Sequence, residues 1–91
     1  MLNVAFDVDG TLLDTDGTPR KLVLDMLFAL LEAKNVHVYV WSGGGIAYAE
    51  QRGRDLMLPS AVKYVSKMTK IHMDITFDDL LTKLGDKNVH V

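Results

Sequence analysis

No cysteine occurs among the 91 residues, which excludes disulfide staples, a thiolate nucleophile and thiolate zinc ligands together. Excess charge of one sign is missing too. Ten Lys and Arg against twelve Asp and Glu leave a net charge of -2, which gives no electrostatic case for duplex DNA, RNA or an anionic membrane surface. Nucleic acid is unsupported rather than excluded, because Lys63, Lys67 and Lys70 form a local basic stretch. No apolar run reaches the roughly 20 residues of a spanning helix, and the N-terminus enters an apolar strand without the three-part pattern of a signal peptide. The expectation is a soluble cytoplasmic protein with no membrane partner. Repeats, linkers and low-complexity segments are absent, and 91 residues fall short of the usual ~100–200 of a domain, so one small domain over 1–91 is expected.

What the chain does have is an ordinary globular balance, 48% hydrophobic and 24% charged, which predicts a packed core. Residues 2–8 read as a buried strand, a short apolar run ending at acidic and glycine punctuation. After a loop over 9–18, Thr18-Pro19 offers an N-cap and a first-turn proline. Leu22, Val23, Met26, Leu27, Leu30 and Leu31 then recur at helical spacing up to Lys34-Asn35. Residues 36–41 form a second apolar, β-branched run that meets Ser42-Gly43-Gly44-Gly45 and a helix through Ile46, Ala47 and Ala49. Gly53 weakens that helix by about 1 kcal/mol relative to alanine, and Pro59 closes the segment. Residues 61–65, 75–77 and 88–91 read as further strands, with a short helix over 80–84. This alternation predicts a parallel sheet with right-handed crossovers, an α/β protein built as a three-layer α/β/α sandwich.

The chemistry gathers at strand ends. Asp7-Val8-Asp9-Gly10-Thr11 closes the first apolar run and Asp78-Asp79 closes the fourth, and a parallel sheet presents such ends in one crevice. Two carboxylates about 4 Å apart repel by about 4 kcal/mol at an effective dielectric near 20, so converging aspartates call for a cation or protons. An all-oxygen donor set points to magnesium. Taken without its context, the aspartate pair is equally a turn or a helix cap.

Asp7-Val8-Asp9-Gly10-Thr11, followed by Leu12-Leu13-Asp14-Thr15, resembles the first motif of the haloacid dehalogenase-like (HAD) phosphohydrolases, two aspartates one residue apart and then Gly-Thr. The resemblance implies that Asp7 is a nucleophile forming an aspartyl-phosphate. It makes Asp9 the acid that protonates the leaving oxygen and then the base that activates water, and it places Thr11 among the phosphate-binding residues. Ser42 with Gly43 is similar to the second motif, where a hydroxyl and a backbone N–H hold the phosphoryl group; alone, Ser42 is also a plausible helix cap. The third motif is a lysine. Lys70 is favoured by its spacing to Asp78-Asp79, Ile71 standing where small relatives carry proline, with Lys67 as the alternative. Asp78 and Asp79 resemble the fourth motif, which completes a magnesium site with Asp7 and the backbone carbonyl of Asp9. Asp78 is the first choice for direct coordination, and Asp79 also suits a helix cap. Asp74 is expected to brace the loop. His37, His72 and His90 show no ligand spacing and receive no role, and Trp41 is expected to pack beside the site.

The family's strand order, 5-4-1-2-3, makes the third-to-fourth link cross three strand gaps of about 4.8 Å. So few residues do this only when nearly extended, so the usual helix there should shrink to a turn. No cap domain fits. The resemblance therefore implies a minimal capless phosphatase with an open site, covered by a bulky phosphorylated substrate or by the neighbour in a homo-oligomer. Two other readings remain: a catalytically weak magnesium- and phosphate-binding regulatory module, and a phosphoacceptor receiver-like domain, which the late acidic pair suits poorly.

Overall fold

Four strands, β1 (Leu2–Asp7), β2 (Val36–Ser42), β3 (Lys63–Ser66) and β4 (Ile75–Phe77), form one sheet in the order β3-β2-β1-β4, and every pairing is parallel. The structure, a computed structural model, describes residues 1–78. Helix α1 (Lys21–Glu32) joins β1 to β2 and helix α2 (Ile46–Asp55) joins β2 to β3. Read from β4, the strands run 4-1-2-3. The order expected from sequence, 5-4-1-2-3, differs by a fifth strand at residues 88–91; that strand, the helix over 80–84 and Asp79 lie outside the described residues.

The β1–β2 register runs from Leu2↔Val36 to Asp7↔Trp41, which places alternate side chains on opposite faces. Val4, Phe6, Val8, Val38 and Val40 share a cluster with Leu12 of the loop after β1, Val23 and Leu27 of α1 and Ala49 of α2. Both helices therefore cover one face. Two right-handed crossovers taken in the same direction require this. Among the described residues the fold is a two-layer α/β arrangement rather than the three layers expected, because the link over 67–74 has no helix to cover the other face. Ala5, Asp7, Tyr39 and Trp41 belong to the other face.

Helix α1 starts later than Thr18-Pro19 suggests. Arg20 is its N-cap residue, without a side-chain cap, because Thr18 and Pro19 are used in a tight flap after β1. There the Thr18 carbonyl accepts the Asp14 N–H at 2.7 Å and Pro19 bridges Leu13 in antiparallel fashion. The helix also ends earlier, at Glu32, and Asn35 turns the chain with φ 65°, a left-handed conformation that asparagine tolerates.

Helix α2 runs through Gly53 without a break. Gly53 is buried and the Tyr64 hydroxyl occupies the place a Cβ would take, so the glycine reflects a close helix-to-strand approach. The link over 67–74 contains turns and no helix, as its length requires. Its far end is clamped to β1: the Asp74 N–H donates to the Asn3 carbonyl, the Asn3 N–H to Asp74 Oδ2, both at 2.8 Å, and Asn3 Nδ2 to the His72 carbonyl at 3.0 Å. Asp74 braces the loop, as its position suggested.

Gly53→Ala tests this packing. Alanine gains about 1 kcal/mol of helix propensity, but its methyl meets the Tyr64 ring and overpacking costs about 1–3 kcal/mol. A lower melting temperature is expected, with a smaller loss in a Tyr64→Leu background. A rise in the wild-type background would contradict the close approach.

Candidate functional site

Asp7 and Ser42 are the last residues of β1 and β2, and Lys67 and Asp78 are the first residues after β3 and β4. Because all four strands are parallel, these positions meet along one edge of the sheet, where open α/β sheets bind ligands.

Asp7 is 8% exposed at the end of a central strand. Its Oδ1 lies 3.1 Å from the Lys67 ammonium, which is also 3.4 Å from Asp78 Oδ1. Burial, followed by a hydrogen bond with Asp78, pushes the Asp7 carboxyl up to about 6, against the opposing pull of the Lys67 hydrogen bond and charge. Burial draws Lys67 down, but its hydrogen bond and attraction to Asp7, with those to Asp78, outweigh that and leave it above the usual lysine value.

The chain leaves β1 through Gly10, whose φ of 83° suits glycine. The Gly10 N–H donates to the Leu13 carbonyl at 2.8 Å, and the Gly10 carbonyl accepts from Arg20 Nη1 at 3.1 Å. Thr11 is fully buried in this turn. Asp9 is exposed, and its Oδ1 accepts a hydrogen bond from the Tyr48 hydroxyl at 2.9 Å. That bond, then burial and the Asp9 charge, raises the Tyr48 hydroxyl above its ordinary value.

After β2 the chain turns over three glycines. Ser42 Oγ accepts the Gly44 N–H at 3.0 Å, and the Gly45 N–H donates to the Ser42 carbonyl at 3.1 Å. Gly45 carries φ 98° as the N-cap of α2, and Gly44 lies against the Tyr48 ring. Gly43 has neither the positive φ of Gly45 nor the ring contact of Gly44: a Cβ there would meet nothing within 4 Å, so the protein's own packing does not demand glycine, and the space beside it is open.

Of the residues expected from sequence, the structure brings together Asp7 and Asp78, with Ser42, Gly43 and Thr11 at the same edge. It does not bring in Lys70. Lys67 takes the place between the carboxylates because it leaves β3 directly. Lys70 lies three residues further on, past the turn closed by Thr69 N–H to the Ser66 carbonyl, and is exposed. The Asp9 carboxylate turns to Tyr48 rather than joining Asp7 and Asp78. Among the described residues no three acidic or histidine side chains are grouped as metal ligands, so Asp7 and Asp78 are the described carboxylates that could share an ion. Asp79 lies outside those residues. Trp41 does sit beside the site, in register with Asp7, with its buried Nε1 lacking a partner among the described residues. Sequence reasoning missed Tyr48 and Arg20.

No family model, no curated protein and no solved structure matches this chain. No helix among the described residues is long and apolar enough to cross a membrane.

The Asp7 environment predicts a pH signature in metal-free buffer. The folded carboxyl titrates at about 6 against an ordinary 3.8, so the folded state binds this proton more tightly and stability falls as pH rises between those values. Asp7→Asn removes the cost. At pH 7 the variant should be more stable by on the order of 2 kcal/mol, and the gain should vanish toward pH 4. Urea unfolding across this range checks it, and a variant destabilised at pH 7 would contradict the burial described.

Proposed function

We propose that this chain is a small, capless phosphatase of the haloacid dehalogenase type, a magnesium-dependent enzyme that hydrolyses phosphomonoesters through an aspartyl-phosphate on Asp7. The observation that carries the reading is the buried Asp7 carboxyl at the end of central strand β1, beside Asp78 and with Lys67 between the two.

In this reaction an Asp7 oxygen attacks phosphorus while the bond to the leaving oxygen breaks, and Asp9 gives that oxygen its proton. Asp9, now a carboxylate, takes a proton from water as the water oxygen attacks the phosphoryl group on Asp7. Inorganic phosphate leaves and Asp7 is regenerated. Ser42 and the open backbone at Gly43 receive the phosphoryl oxygens, and Thr11 supports the turn that carries Asp9. Lys67 supplies positive charge where negative charge accumulates on the phosphoryl group.

Two neighbouring carboxylates suit magnesium, which is commonly held by one or two protein carboxylates with water completing the shell. Asp7 and Asp78 would hold it, together with the Asp9 backbone carbonyl, and when bound the ion supplies neutralisation of phosphoryl charge. Among the described residues nothing caps the site, so the substrate is a bulky phosphorylated molecule or a second copy of the chain closes over a smaller one.

A second reading has its own support. Lys67 already bridges the carboxylates and Asp9 is held by Tyr48, an arrangement that also suits a weakly active magnesium- and phosphate-binding regulatory module.

Purified protein with magnesium should hydrolyse p-nitrophenyl phosphate or another member of a broad phosphate-ester panel, and Asp7→Asn should abolish turnover. Lys67→Ala should lower kcat/KM by about 10²-fold or more, with Lys70→Ala close to wild type; the reverse ranking would return the role to Lys70. Magnesium at a hundredfold excess over its dissociation constant should add about 2.7 kcal/mol of stability. An unchanged melting temperature with magnesium, manganese and calcium would count against the metal assignment, and fluoroberyllate binding without hydrolysis of any ester would favour the regulatory module.

A further inference from the structure

The Tyr48 hydroxyl and the Asp9 carboxylate are 39 residues apart in sequence and 2.9 Å apart in space. Tyr48 is in the first turn of α2, the helix that begins at the three-glycine loop after Ser42. Its ring lies against Gly44, where an added Cβ would stand 3.1 Å from the ring. One turn later the Arg52 guanidinium lies 5.5 Å from the ring centroid and is itself tied to Asp55 at 2.9 Å. Gly44 and Arg52 thus neighbour the ring without involving its hydroxyl. The hydroxyl then reaches across to a loop that has left β1 and whose aspartate is exposed.

An exposed hydrogen bond between two water-accessible groups contributes little to folding, because water replaces it readily. Its consequence for Asp9 is geometric. An aspartate on a loop samples several rotamers, and proton transfer needs the carboxyl within hydrogen-bond reach of the reacting oxygen. We propose that Tyr48 is a positioning residue that fixes the Asp9 carboxylate through Oδ1 and leaves Oδ2 to exchange the proton with the leaving oxygen. The inference rests on the phosphatase reading above and adds a residue to it. It also ties the acid–base group to the phosphate-binding loop, since one helix turn carries the ring that packs on Gly44 and the hydroxyl that holds Asp9.

The test uses leaving groups that differ in their need for a proton. p-Nitrophenolate departs without much help, whereas phenolate and an alkoxide need the acid. kcat/KM reports the step in which Asp7 is phosphorylated, so it isolates the acid role. Tyr48→Phe keeps the ring and removes the hydroxyl. Its kcat/KM should fall by about threefold or less for p-nitrophenyl phosphate and by about tenfold or more for phenyl and alkyl phosphates, a fraction of the 10²–10⁴ attributed to a general acid. Tyr48→Leu, which removes ring and hydroxyl together without touching the Ser42 loop, should show the same graded loss and serves as the test should Tyr48→Phe fail to fold. In an Asp9→Asn background Tyr48→Phe should cause no further loss. An equal loss across all esters, or none, in an active wild type overturns the positioning role and leaves the phosphatase reading intact. A wild type that hydrolyses no ester overturns both.

Discussion

The Lys67 ammonium, 3.1 Å from Asp7 and 3.4 Å from Asp78, is the contact on which the geometry of the site depends. It joins residues that follow the two outer strands of the described sheet to the last residue of a central one. Asp7 is buried, and a buried carboxylate beside another carboxyl is tolerated only with a counter-charge or a proton. Lys67 supplies part of the first, and the raised Asp7 titration near 6 reflects the remainder. The strand ends are thus held close around a carboxyl whose charged form burial disfavours, an arrangement found at structural ion pairs as well as at functional sites.

The short link from β3 to β4 follows from the same arrangement. Eight residues, 67–74, separate Ser66 from Ile75, and at about 3.3 Å each they reach roughly 26 Å, against about 14 Å for three strand gaps plus the return along the sheet. Little slack remains for a helix. The link is fixed at both ends, by Lys67 at the carboxylates and by the Asp74–Asn3 clamp where β1 and β4 begin. Helix α2 is fixed as tightly on the other side of the sheet's centre. Gly53 lets it approach Tyr64, and Gly44 and Gly45 let its first turn sit against the Ser42 loop. The link thus ends at Asp7 through Lys67, and α2 ends at Asp9 through Tyr48.

Much of this was legible from residue pattern. The strand-end rule located Asp7, Ser42 and Asp78, and β4 falls at 75–77 as read. These succeed because short apolar runs ending in Asp, Ser or Gly encode both a buried strand and its exit. The start of α1 was misread because Thr18-Pro19 carries a helix-start signal locally, while the flap pairing of Leu13 with Pro19 is a tertiary contact. Spacing to the acidic pair favours Lys70, whereas the strand-end position that marks Asp7 and Ser42 favours Lys67, the residue directly after β3, and the structure follows position. Tyr48 was invisible as a partner of Asp9 because nothing in a linear sequence relates a helix's first turn to a loop 39 residues earlier. The glycine at 53 read as a weakness in a helix, since only the packed structure shows Tyr64 filling the missing side chain's space.

The central claim is that Asp7 accepts a phosphoryl group. It is tested most directly by mixing the Asp9→Asn variant, which lacks the base for the second step, with p-nitrophenyl phosphate and magnesium, quenching in acid and mapping the modified peptide by mass spectrometry. The account predicts one phosphoryl group per chain, on Asp7, accompanied by a stoichiometric burst of p-nitrophenol. A burst with the phosphoryl group on any other side chain, or no covalent phosphate in protein whose wild type turns over the same ester, would contradict it.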